Sequence, residues 1–157
     1  MICDECQALY EEVGDLVRDY KVFSKVRRTD DALKCRAKLD ESEAYYIVEV
    51  NDEHDTVWVG LYTPDRWLSE SIESELMHVG DKIDELLEEE LCDQGLETRL
   101  PVEHFRDEQK QFVFRSPIKL PQGEALDGEG MITRVRQVLL AYEACFSQLG
   151  DMAQPSE

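Results

Sequence analysis

The chain has no long apolar run. Nowhere does it approach the roughly 18 consecutive apolar residues that a membrane-spanning helix needs, so no membrane association is expected. The opening MICDECQALYEE is too acidic for a secretory signal, which makes a cytoplasmic location the expectation. Basic residues are scarce: 17 Lys and Arg stand against 36 Asp and Glu, a net charge of −19. A field of that sign repels nucleic-acid phosphates and anionic lipid, so neither is an expected partner. Cysteines number five, an odd count that argues against a disulfide framework. Phosphate-cradling Gly-x-Gly-x-x-Gly, the P-loop and Gly-x-Ser-x-Gly are all missing. His54, His78 and His104 are scattered over a predicted turn, a helix and an edge segment. No catalytic residue, no cofactor and no metal is therefore assigned, and a non-enzymatic protein is the expectation.

Cys3-Asp4-Glu5-Cys6 is a C-x-x-C. Structural zinc needs four ligands, ordinarily a second pair or two histidines at fixed spacing, and no second pair exists. A redox C-x-x-C usually opens a helix after a strand, whereas this one precedes any strand. The spacing is read as chance, with metal capture or a redox thiol as the alternatives. Cys35, Cys92 and Cys145 are read as small buried hydrophobes. Gly123, Gly128 and Gly130 alternate with Glu124, Asp127 and Glu129, without the ligand spacing of a calcium loop.

What is present is pattern. In residues 67–95, Leu68, Ile72, Leu76, Val79, Ile83, Leu87 and Leu91 recur at steps of three or four. That spacing predicts one long helix with an apolar stripe and an acidic face, the element around which the rest is organised. Gly95 suits its C-terminal cap, Thr63 its N-cap and Pro64 its first turn. Residues 3–19 predict a first helix on Leu9, Val13, Leu16 and Val17, and residues 131–149 a last one on Ile132, Val135, Val138, Leu139, Tyr142 and Phe146. Residues 33–39 alternate, with Leu33, Cys35, Ala37 and Leu39 on one side and Lys34, Arg36 and Lys38 on the other. Residues 44–50 and 56–62 are β-branched and aromatic. Short turns at 29–31, 40–42 and 51–55 join these into an antiparallel meander. Residues 20–28 are either a further strand or an extended connection. Residues 96–105 and 110–115 predict two more strands around a loop at 106–109, with Pro101 marking an edge. Residues 117–130 predict a loop.

The fold class that follows is α+β: an antiparallel meander with helices packed on one face, in the order α-β-β-β(-β)-α-β-β-α. Residues 1–150 form a single domain and residues 151–157 a flexible tail. Eight of the 17 basic residues crowd into 18–38, either facing the acidic helices of the same chain or forming a local site for an acidic partner.

This order, carried by the first helix around 9–17, the strands LKCRAKL, YYIVEV and VWVGLY, the helix ending LLEEELCDQG, the FVFR pair and the helix VRQVLLAYEACF, resembles the type III secretion chaperone-like fold. Within it the chain is most similar to the bacterial YbjN-like family. The resemblance covers nearly the whole chain. It implies a non-enzymatic, chaperone-like protein that holds another polypeptide, and it carries over no catalytic residue.

The middle strands are apolar on both faces. With Leu33, Cys35, Val57 and Val59 turned to the helices, the other face would carry Trp58, Tyr62, Tyr45 and Ile47, rimmed by Lys34, Arg36 and Lys38. Aromatic anchors with a charged rim suit a protein partner or a second copy of the chain. The alternative is that a helix crosses that face and buries the aromatics. Two other readings stand beside the chaperone-like one. One is an acidic interaction domain for a basic protein. The other is a metal- or thiol-dependent enzyme using Cys3, Cys6 or the loop near Asp127.

Overall fold

The structure, a computed structural model, describes residues 3–39, 43–79 and 82–152. The turn expected at 40–42 and residues 153–157 of the expected tail lie outside them. In chain order the elements are α1 (Asp4–Arg18), β1 (Lys25–Arg28), β2 (Leu33–Arg36), β3 (Tyr45–Val50), β4 (Thr56–Thr63), α2 (Arg66–Val79), α3 (Ile83–Asp93), β5 (Glu103–Arg106), β6 (Phe112–Lys119) and α4 (Glu129–Phe146), followed by a 3-10 turn, Gly150–Met152. All six strands join one sheet in the order β1-β2-β3-β4-β6-β5, and every pairing is antiparallel. The α+β class is as the sequence implied, with β1 to β4 a meander and the helices packed on the sheet.

The turns are set by side chains that bond their own backbone. Thr29 Oγ1 accepts from the Ala32 amide at 3.1 Å, closing β1 onto β2. Asn51 Oδ1 accepts from the Asp55 and Thr56 amides, each at 3.0 Å, closing β3 onto β4 and leaving His54 at φ 57°.

The helix at the centre is α4, not the 67–95 segment. It lies on β3 and β4, with α1 and α3 packed beside it. Val135, Val138, Leu139, Ala141, Tyr142 and Phe146 are fully buried, and Leu140 and Cys145 nearly so. Apolar residues on more than one side of a helix are what a core position demands. The 67–95 stripe is divided between α2 and α3, because Lys82 takes an extended backbone (φ −85°, ψ 144°) as the N-cap of α3. Leu68, Ile72, Leu87 and Leu91 of the stripe are buried as expected. Gly95, at φ 88°, ends α3 with the Leu96 amide bonded back to the Leu91 carbonyl.

Several expectations are corrected. The N-cap of α2 is Asp65, whose Oδ1 accepts from the Trp67 and Leu68 amides at 3.0 and 3.2 Å. Thr63 instead donates its hydroxyl to the Glu43 carbonyl. Leu16 and Cys92 are exposed rather than core-facing. Of the segment 96–105 only residues 103–105 are strand, which continues through Arg106 of the expected loop, and β6 runs to Lys119 through Pro117 instead of stopping before it. Proline is tolerated where its missing N–H faces an open edge; β5 pairs only with Phe112 to Arg115, so that side of β6 is free at Pro117. The chain is not frayed at 150–152: Met152 is buried, and Gly150 (φ 50°) lies so close to Ser71 that a Cβ there would meet its backbone at 2.6 Å.

Two buried tyrosines make opposite predictions. The Tyr142 hydroxyl shares a 2.6 Å bond with the buried Ser116 hydroxyl, tying α4 to β6. The buried Tyr46 hydroxyl has no hydrogen-bond partner among the described residues. Tyr142→Phe strands Ser116 and is expected to cost about 1–3 kcal/mol, whereas Tyr46→Phe removes an unpaired polar atom and should leave stability within about 1 kcal/mol or raise it. Denaturant midpoints of the two variants check the contrast.

Candidate functional site

Strand alternation divides the sheet into two faces. Leu33, Cys35, Tyr46, Val48, Val57, Val59 and Leu61 turn toward the helices and are buried. The opposite face carries Trp58, Tyr62, Tyr45, Ile47, Lys34 and Arg36 as expected, whereas Lys38 lies past the end of β2 and its ammonium donates to the Lys21 carbonyl. Register places Lys34 beside Ile47, Arg36 beside Tyr45, and Tyr45 beside Tyr62, with Trp58 on the same face four residues before Tyr62 on β4. Ala32, Ile47, Tyr62 and Val113 are buried together, with Tyr45 and Phe105 packed at the margin, and no helix contributes a residue to this cluster. The alternative in which a helix crosses the face is thus not the arrangement of the described residues. Trp58 and Tyr45 remain half-exposed.

Arg115 is the residue that sequence reasoning missed. Its guanidinium lies 3.9 Å from the Trp58 ring centre and 4.9 Å from that of Phe105, and its Nε donates to Glu103 Oε2 at 3.0 Å. An arginine over aromatic rings is held by the cation–π attraction and by packing of its stem. Arg115 lay inside the strand expected at 110–115, on the same side as Val113; what residue order did not show is that this strand pairs with β4, beside Trp58. Glu49, paired across the strands with Trp58, has its carboxyl raised above the usual range by partial desolvation, while Arg115 and Lys34 pull it back down.

The β1 end of the same face is basic. Register sets Lys25 opposite Arg36 and Arg27 opposite Lys34, so like charges face each other directly. These four and Tyr45 line a shallow depression. None of the four forms an ion pair among the described residues, whereas Arg18 and Arg28 of the same basic stretch pair with Asp15 at 2.7 Å and Glu11 at 3.3 Å on α1. The stretch therefore serves its own helices only in part. The carboxylates of α3 are met instead by Arg99, which reaches Asp84, Glu85 and Glu88.

The histidines have separate fates. His104 stacks on Phe114 at 3.8 Å, with its ring nitrogens against the Val113 carbonyl and the Glu73 carboxylate, a structural tie between β5 and α2. The His78 side chain lies outside the described residues. His54 is carried by the β3–β4 turn to the start of α1, where its ring nitrogen and the sulfurs of Cys3 and Cys6 lie within 4.8 Å of one another. Spacing in the sequence did not bring these three together. Cys6 is buried, and burial with the adjacent Cys3 thiol pushes its own thiol up to about 12. The glycine loop makes no such cluster: Glu124 turns to Arg134, and Leu126 is buried.

No helix among the described residues is long and apolar enough to cross a membrane. Compared with protein-family models, with curated proteins and with solved structures, the chain gives no match.

Proposed function

We propose that this chain is a non-enzymatic, chaperone-like module that holds a polypeptide on the helix-free face of its sheet. The observation that carries the reading is the pairing of Lys25 with Arg36 and Arg27 with Lys34, with no carboxylate joined to any of them among the described residues. Like charges directly opposite on a sheet are destabilising, and a chain with 36 acidic residues has ample means to neutralise them. Beside them lie Tyr45, Ile47, Tyr62 and the Trp58–Arg115 stack. A segment with carboxylates next to apolar or aromatic side chains matches both halves of this surface. The net charge of −19 repels such a partner at long range, so selection rests on short-range contact. The resemblance to secretion chaperone-like proteins supports the same reading, and we place the chain in the cytoplasm on the same footing.

A displayed library of acidic–aromatic peptides tests it. Selected peptides are expected to lose at least about tenfold in affinity with Lys34→Glu/Arg36→Glu, the order of a lost charge-assisted contact. Trp58→Glu should abolish binding with the fold intact. Peptides that bind these variants equally well, or a library that yields none, would sink the proposal. A salt-resistant dimer broken by Trp58→Glu would make a second copy of the chain the occupant instead.

A further inference from the structure

We propose that Cys3, Cys6 and His54 form a binding site for one zinc-class divalent cation. Two thiols and an imidazole are the ligand set that selects such a metal over magnesium or calcium. The three come from two elements. Cys3 caps α1 and Cys6 sits in its first turn, while His54 stands in the β3–β4 turn. Tyr10 fastens those elements together: its hydroxyl donates to the Asp31 carbonyl at 3.1 Å and accepts from the Val50 amide at 2.9 Å.

The distances suit a metal. A tetrahedral zinc holds its sulfur and nitrogen ligands about 3.6–3.8 Å from one another, and these three atoms already lie within 4.8 Å. A contraction of about 1 Å completes the set, and half-exposed Cys3 and exposed His54 are free to make it. Cys3 Sγ accepts the Cys6 amide at 3.3 Å, an N–H···S bond of the kind that steadies a metal thiolate. His54 occupies a left-handed conformation (φ 57°), in which a side chain other than glycine is uncommon. On coordination each thiol gives its proton to solvent and the imidazole binds neutral. Three protein ligands leave the fourth position to water or to a group from a partner.

The test uses the full chain, purified with reductant, stripped by chelator and titrated with Co²⁺ alone. One Co²⁺ per chain is expected, with a thiolate-to-cobalt charge-transfer band that Zn²⁺ removes. Cys3→Ser keeps an N-cap oxygen for α1 and should lose the band with unchanged circular dichroism. His54→Asn tolerates the same φ and should weaken Co²⁺ binding at least about tenfold. Absence of the band at one equivalent overturns the proposal. So does equal affinity in His54→Asn, or a Cys3–Cys6 disulfide in the reduced preparation.

Discussion

Replacing Phe146 by Ala is expected to lower stability by about 3–5 kcal/mol, the cost of emptying a well-packed aromatic site. Phe146 is fully buried on α4, its ring 5.1 Å from that of Phe114 on β6 and 5.4 Å from that of Tyr142. Both neighbours are rigid. Phe114 is held between Phe146 and the stacked His104, and Tyr142 is bonded to Ser116. The surroundings therefore cannot collapse into the space, which puts the effect at the upper end of the range. For a chain of this size a loss of that order moves the melting temperature by roughly 10 °C. A thermal scan checks it, and a shift under about 3 °C would mean that α4 is not the centre of the core.

Gly60→Ala should cost about 1–3 kcal/mol, as overpacking does, and should also disturb the candidate binding face. Gly60 lies on β4 opposite Arg115. A Cβ there would stand 2.5 Å from the Phe114 carbonyl oxygen and 2.7 Å from Arg115 Cβ. Neither atom is the far end of a flexible side chain, so the β4–β6 ladder itself must open. Arg115 would move with it, away from the Trp58 ring that it now covers at 3.9 Å. The reporter is Trp58 fluorescence in a Trp67→Phe background; Trp67 is 76 % exposed, so its replacement leaves the core alone. Wild-type stability and emission together would show that β6 yields without consequence and that the stack is not held by the absent side chain.

Elements with a repeating local pattern were legible from residue order. Leu33 and Cys35 alternate with Lys34 and Arg36 because a strand has period two, and that alone put Trp58, Tyr62, Tyr45 and Ile47 on one face. Leu68, Ile72, Leu87 and Leu91 showed a helical stripe, but not that it is two helices, since the periodicity continues across the junction. Pro117 misled because its tolerance depends on how far β5 extends, a fact of pairing rather than of residue type.

Residue order by itself thus determined the α+β class, the strand faces and the separation of an acidic bulk from a basic stretch. Tertiary structure alone decided three things. It chose α4 as the central helix, because burial on more than one side depends on which neighbours arrive. It laid Arg115 over Trp58, because cross-strand register joins residues far apart in the chain. It brought His54 to Cys3 and Cys6, because a turn and a helix start meet only through packing across the fold, where Tyr10 bonds to Val50. Local chemistry sets periods and caps, whereas a site assembled from separate elements exists only once the long-range contacts form.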